Sequence, residues 1–418
     1  MSPTDAGVLP PGPLPLFSAT WRYHRDTPHA SPALTTALVL ALGMLSISAP
    51  IIESRAPSTW VHPGILVNTT QLDFMKSQVA KGTSPWSNAY EVMAANSLSD
   101  LDRTASPVVM VECGSYSNPD VGCTAERDDS IAAYSMALAW YITGESEYAT
   151  KAIYYMDAWS SVITGHNNSN APLQSGWVGS VWARTAEIIR YSSAGWSDDS
   201  ISQFETMLTD VYLPEVIGGD GDTNGNWELV MMEAAIFIAI FVEDAEAYNT
   251  AMGIFLNRVP AYIYLTSDGD IPIAPADSSY TTTAEIEAYW YGQTTFVNGL
   301  SQETCRDLEH TGYGIASISH VAETSRIQGT DMFVQDTGER LRYALEFHSY
   351  YALGGSVPSW LCDGSLTGVL DNVTEIGHSE FVTRLGHTMG NTTTYTKDQR
   401  PGGESLFILW ETLTNALL

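Results

Sequence analysis

Between Gln302 and Gly314 the chain reads Gln302-Glu303-Thr304-Cys305-Arg306-Asp307-Leu308-Glu309-His310-Thr311-Gly312-Tyr313-Gly314. On a helix, Glu303, Arg306, His310 and Tyr313 fall at i, i+3, i+7 and i+10 and share one face. Leu308, Ile315, Ile318 and Ala322 take the opposite face, which suits a core. A carboxylate, a guanidinium, an imidazole and a phenol in one stripe can bind an anion and move a proton. The competing reading is a solvated face of a surface helix, where charged stripes commonly lie.

The elements that must position this stripe are helices. Apolar spacing predicts helices over residues 130–143, 148–164, 178–193, 198–213, 227–242, 244–265, 284–298, 302–328, 331–351 and 405–416, several of them stopped by glycine. Strand signals are short, at residues 108–111 and 271–273. Periodicity alone therefore reaches a mostly helical chain. No Pro/Ser-rich linker interrupts residues 60–418, so residues 56–418 read as a single domain.

Two polar loops stand out. Gly218–Trp227 is rich in Gly, Asp and Asn but lacks EF-hand spacing and its closing Glu. Asn224 or Asn226 there is a candidate for hydrogen bonding a substrate carboxylate; Asn226 is equally a candidate helix cap. In His166–Trp177, His166 is a candidate proton carrier or a plain loop residue, and Trp177 a candidate sugar platform. Tyr289 is a second candidate platform.

Acidic residues outnumber basic ones 48 to 18, a net charge of −30. The absence of any Lys/Arg run argues against a nucleic-acid partner. An acidic chain that binds a polyanion must do so with local positive charge, which makes the few arginines informative. Residues 34–49 form an uncharged apolar run ending in small residues, short for a membrane span. Residues 1–55 thus read as a leader with a secretory signal, or as a signal anchor, outside the fold. The anchor would be the one route to a stable membrane partner.

Four cysteines in a secreted chain read as two disulfides. Three pairings exist, and proximity favours Cys113 with Cys123, leaving Cys305 with Cys362. Asn68, Asn167, Asn372 and Asn391 lie in N-x-Ser/Thr sequons, candidate glycan sites of an extracellular protein. No C-x-x-C or H-E-x-x-H spacing calls for a metal.

The pattern Gln-Glu-x-x-Arg-Asp-x-x-His-Thr-x-x-Gly from Gln302, followed by Ala322-Glu323-Thr324 and Gln328-Gly329-x-Asp331, resembles the alginate-lyase domain family of polysaccharide lyases. Glu375-Ile376-Gly377, Arg384-Leu385-Gly386 and Gln399-Arg400-Pro401-Gly402-Gly403 resemble its C-terminal pattern. The resemblance implies an all-α fold, an (α/α) toroid of helical hairpins, and cofactor-free β-elimination on an anionic polysaccharide such as alginate or glucuronan. Arg306, with an amide such as Asn226 or Gln302, would neutralise the uronate carboxylate. Tyr313 and His310 would be the acid–base pair, with the Tyr313 phenol acidified by nearby Arg306. Related lyases place an Asn-His pair where this chain has Asn226-Trp227, so that histidine does not carry over. Arg384 is either a substrate clamp or an ion-pair partner of Glu375.

Two other classes compete. A glycoside hydrolase on a similar toroid needs two carboxylates across the bond, for which Asp307, Glu303, Asp222 and Glu228 are candidates. A non-catalytic carbohydrate-binding relative would hold the polymer and release no product.

Overall fold

Helices dominate residues 55–417, the part of the chain described by this computed structural model. In chain order they are α1 (Thr69–Ala80), α2 (Trp86–Ala95), α3 (Cys123–Thr143), α4 (Ser146–Ser160), α5 (Ala171–Arg190), α6 (Asp198–Met207), the short α7 (Leu213–Val216), α8 (Gly225–Phe241), α9 (Ala245–Tyr262), α10 (Thr283–Tyr289), α11 (Leu308–Ile327), α12 (Asp336–Ala352), the single turn α13 (Glu375–Gly377), α14 (Gly390–Gln399) and α15 (Glu411–Asn415). The leader and its apolar run lie outside the described residues, apart from Arg55. Among the described residues no helix is long and apolar enough to cross a membrane.

Burial sorts these helices into two layers. Every residue of α8 except Trp227 is buried, and α5 and α11 are nearly as enclosed. A helix with no polar face must be surrounded by protein. Accordingly α3, α5, α8 and α11 pack side by side in that order as the inner layer. α4, α9 and α12 return along the outside of α3, α8 and α11. These outer helices are one-sided: α4 buries Ala149, Ala152, Tyr155, Met156 and Trp159, while Ser146, Glu147, Thr150 and Tyr154 are exposed. Tight turns make the hairpins, as at Gly144, whose left-handed φ of 74° ends α3 two residues before α4 begins. The architecture is an (α/α) toroid.

The chain ends close the ring between α11 and α3. α1 packs on α3 and α15, while α13 packs on α11 and α15. The Asn415 amide donates to the Leu66 carbonyl at 3.1 Å, tying the two ends together. The last two strands in chain order, β4 (Glu404–Ser405) and β5 (Ile408–Leu409), form a hairpin that enters the inner layer. Arg184 of α5 donates to the Phe407 carbonyl at 2.6 Å, and Trp410 donates to Ser135 of α3 at 2.9 Å. The three earlier strands, β1 (Met110–Cys113), β2 (Asp120–Val121) and β3 (Gly165–Asn167), form a small sheet in the order β2-β1-β3. Cys113 is bonded to Cys123 and Cys305 to Cys362.

Several expected boundaries move. The helix expected over 302–328 begins at Leu308, because Asp307 is extended and its carboxylate caps the His310 amide at 2.7 Å. Gln302 and Glu303 instead accept from the Gly225 and Asn226 amides, both at 3.0 Å. They thereby satisfy the open N-terminus of α8. The segment expected as a helix over 405–416 is a hairpin plus the short α15. Residues 271–273 form no strand, and the helix expected to reach 298 stops at Tyr289.

Candidate active site

A cleft of about 1100 Å³ opens beside the N-terminal turn of α11. Arg306 lines it from the segment just before α11, and Glu309, His310 and Tyr313 line it from the first two turns of that helix. Gln174 and Trp177 come from α5, Arg127 from α3, Trp227 from α8, and Tyr116 from the loop between β1 and β2. Among the described residues lining the cleft, two arginines face one carboxylate, Glu309. Behind that wall Glu303 and Asp307 pair with Arg306 and His310, so the positive groups of the cleft are backed by carboxylates.

Arg306 is held at both ends of its fork. Nη1 donates to Glu303 Oε1 at 2.7 Å and Nη2 donates to His310 Nε2 at 2.9 Å. A guanidinium has no acceptor, so Nε2 must present its lone pair. The imidazole is then neutral, with its proton on Nδ1, which lies 2.8 Å from both oxygens of Asp307. Burial pushes the Asp307 carboxyl up, but the His310 hydrogen bonds and the Arg306 charge outweigh it and hold it below the ordinary value.

The Tyr313 hydroxyl donates to Glu309 Oε1 at 2.8 Å, one helical turn away. Burial, with that carboxylate, pushes the phenol well above its ordinary value. This corrects the expectation of a phenol acidified by Arg306. Arg306 spends its donors on Glu303 and His310, and the nearest charge to the hydroxyl is negative.

Other candidates lie behind the cleft wall. Glu303 is fully buried and joins Arg306 to the Asn226 amide, whose Nδ2 donates at 2.7 Å, so both position the arginine. Asn224 accepts from Tyr291 and Gln302, and Gln302 donates to the Tyr289 carbonyl at 2.7 Å. Tyr289 is buried, hydrogen bonded to Arg258 and stacked on Tyr280, which leaves no face for a sugar. His166 is buried too, with Nε2 on Glu126 at 2.8 Å, so it carries no proton in the cleft. Arg384 pairs with Asp331 and Glu380 in a separate pocket, while Glu375 pairs with Arg400, so neither reading of Arg384 holds. Of the two platforms Trp177 and Tyr289, Trp177 reaches the cleft.

Sequence reasoning missed Arg127, Glu309, Gln174 and Tyr116. Glu309 was within reach of the spacing argument, since it lies at i−4 from Tyr313. Arg127 and Gln174 come from separate helices and meet only through packing.

The hydrolase candidates are not paired across open space. Glu303 is enclosed, Asp307 is bound to His310, and Glu228 is ion-paired with buried Arg258. Asp222 accepts from the Ser279 amide at 2.6 Å, outside the cleft. Among the described residues no cluster of three or more His, Cys, Asp or Glu side chains is arranged to hold a metal ion.

The model of a family described as alginate lyase matches residues 116–357, more than half of the 418-residue chain. The chain belongs to the alginate lyase family. Its fold is similar to that of alginate lyase A1-III from Sphingomonas species A1, with a TM-score of 0.54, 14% identity and coverage of 80% of this chain and 92% of the other. A Tyr-to-Phe variant of alginate lyase A1-III complexed with tetrasaccharide matches at a TM-score of 0.56 and 14% identity, covering 82% and 92%. An alginate lyase from Bacteroides ovatus matches at a TM-score of 0.50 and 11% identity, covering 86% and 100%. At these identities the likeness is one of fold. No curated protein sequence matches the chain significantly. Family membership makes the protein a polysaccharide lyase, and the Arg306–His310–Tyr313 cleft is its candidate active site.

Proposed function

We propose that this lyase cleaves a uronic-acid polysaccharide, alginate or glucuronan, by β-elimination at the cleft beside α11. One observation carries the reading: a charged guanidinium, a neutral imidazole and a protonated phenol line the same cleft wall. Elimination needs one of each. The uronate carboxylate takes the Arg306 hydrogen bond from His310, which neutralises the carboxylate and acidifies the C5 proton. His310 Nε2, its lone pair released, removes that proton, and Asp307 steadies the imidazolium. The electron pair forms the C4–C5 double bond, the C4–O4 bond breaks, and the Tyr313 phenol protonates O4. The raised phenol value suits this acid role.

The two disulfides support a secreted protein, since such bonds persist in oxidising compartments. Of the sequon asparagines, Asn167 is exposed, which supports a glycan there. The Asn391 amide already donates to Glu346 at 2.9 Å, which weighs against one.

The test is ultraviolet absorbance during digestion of alginate and of glucuronan, side by side. A C4–C5 double bond conjugated to the carboxylate absorbs; a hydrolysis product does not. Folded protein that produces reducing ends with no absorbance would be a hydrolase, and protein that binds without either product would be a binding relative.

A further inference from the structure

Arg306 lies in no helix, so its backbone must be fixed by something other than a helical ladder. Residues 353–374 connect α12 to α13 with a single 3-10 turn (Cys362–Gly364) and otherwise irregular backbone. A connection that long in a compact domain commonly serves a site. This strap runs against the segment that leads into α11 and meets it residue by residue. Cys362 is bonded to Cys305, with the two Cα atoms 5.1 Å apart. The Thr367 hydroxyl donates to the Arg306 carbonyl at 3.3 Å, and the Thr367 carbonyl accepts from the Leu308 amide at 2.8 Å. Gly368 has a left-handed φ of 76°, and a Cβ there would lie 3.2 Å from Asp307 Cβ.

The strap is held from behind as well. Gln293 is buried; its carboxamide oxygen accepts from the Cys362 amide at 3.1 Å and its nitrogen donates to the Trp360 carbonyl at 2.9 Å. Farther along, the Tyr395 hydroxyl donates to the Asp371 carbonyl at 3.1 Å. Arg306 therefore sits between two fixed points, Glu303 on the α8 amide and Cys305 on the strap. The two disulfides differ in access: Cys113 and Cys123 are buried, whereas Cys305 and Cys362 are half-buried. Thiol–disulfide exchange requires a thiolate to reach a sulfur, so a dissolved thiol meets the bond beside Arg306 first.

We propose that the Cys305–Cys362 disulfide is the positioning bond of Arg306, and that its reduction by a small thiol reversibly lowers the activity of the folded lyase. The proposal rests on the reading of Arg306 as the group that neutralises the uronate carboxylate. A dithiol reductant passes two electrons into the S–S bond; Cys305 and Cys362 each become a thiol, and the reductant leaves as its own disulfide. The strap then keeps only the Thr367 contacts with the segment, and Arg306 is free to shift relative to His310. A displacement of about 1 Å in a group that positions substrate can cost on the order of 10²-fold in rate. A disulfide that served stability alone would act on the unfolded chain and leave the folded site as it is.

The experiment treats the native full chain with dithiothreitol, alkylates the thiols and maps them by mass, with circular dichroism showing that the protein stays folded. Cys305 and Cys362 should be alkylated before Cys113 and Cys123, and kcat/KM on uronan should fall about tenfold or more in step with them. Reoxidation with oxidised glutathione before alkylation should restore it. The Cys305→Ser/Cys362→Ser variant, assayed well below its melting temperature, should show the same loss. A double-mutant cycle separates positioning from stability: in an Arg306→Ala background, removing the disulfide should cost almost nothing further. Hydrogen exchange reads the latch without turnover, since the Leu308 amide should lose protection once the bond is open. Undiminished activity in folded protein whose Cys305–Cys362 bond is reduced would overturn the proposal. So would a loss that adds in full to that of Arg306→Ala, or a Leu308 amide that stays protected. A wild-type protein that gives no absorbance on any uronan overturns the lyase reading instead, and the exchange of Leu308 then decides the latch by itself.

Discussion

Arg306 Nη2 donates to His310 Nε2 at 2.9 Å, a contact that fixes both the charge and the tautomer of the imidazole. In the proposed mechanism this histidine is the base, and its lone pair is covered until an anion claims the arginine.

Asp307 holds the other end of that ring and also caps α11. Asparagine caps as well as aspartate but carries no charge. Asp307→Asn should therefore keep the melting temperature near wild type and lower kcat by roughly 10²-fold, on the scale of general-base catalysis. Asp307→Ala should lose the same activity and about 1 kcal/mol of stability as well. Melting curves beside steady-state kinetics separate the two; full activity in Asp307→Asn would show that the carboxylate does not orient the base.

Removing only the phenol hydroxyl should spare binding. Tyr313→Phe should lower kcat by about 10²–10⁴-fold with oligouronate affinity nearly retained. Arg306→Ala should cost about 3–4 kcal/mol in kcat/KM, the scale of one lost oxyanion donor. It also leaves buried Glu303 without its cation, so a lowered melting temperature should accompany it. Near-wild-type turnover by Tyr313→Phe would move the acid elsewhere.

Glu309 should show itself in the alkaline limb of the pH profile. In the proposed reaction the phenol acts while protonated, and burial together with Glu309 raises its value. Glu309→Gln removes the carboxylate, so the phenol should ionise at lower pH and the alkaline limb should shift to lower pH. A limb that stays in place in kcat profiles would uncouple Glu309 from the acid.

Stability at alkaline pH should depend on His320. Burial opposes its charge, but Glu233 and Glu411 on its two nitrogens, at 2.8 and 2.7 Å, raise it from 6.5 to about 9. The folded value exceeds the unfolded one, so this stabilisation is complete below pH 6.5 and is lost as pH rises through about 9. Glu411 begins α15, so the loss loosens the C-terminal closure of the ring. The melting temperature should fall across that window, and His320→Gln should flatten the fall while being less stable at neutral pH. An identical pH dependence in the variant would place the effect elsewhere.

What the sequence determined by itself was the helical order, the two disulfides as the proximity-favoured pairing, and the grouping of Arg306, His310 and Tyr313. These follow from local rules: apolar period, glycine stops and a contiguous motif whose candidate site members span barely two turns. The toroid needed the family resemblance as well, because periodicity gives helices but not their circle. Tertiary structure alone decided which polar groups face the cleft. Glu303 and Gln302 share the motif, yet they turn inward because the amides that open α8 need acceptors. His166, alone in a polar loop, is buried because Glu126 and Tyr212 of distant segments enclose it. Arg127 gave no local signal, since an arginine near a helix start looks alike whether it meets a carboxylate or an open cleft. Gln174 and Trp177 come from another helix, and only packing set them beside it.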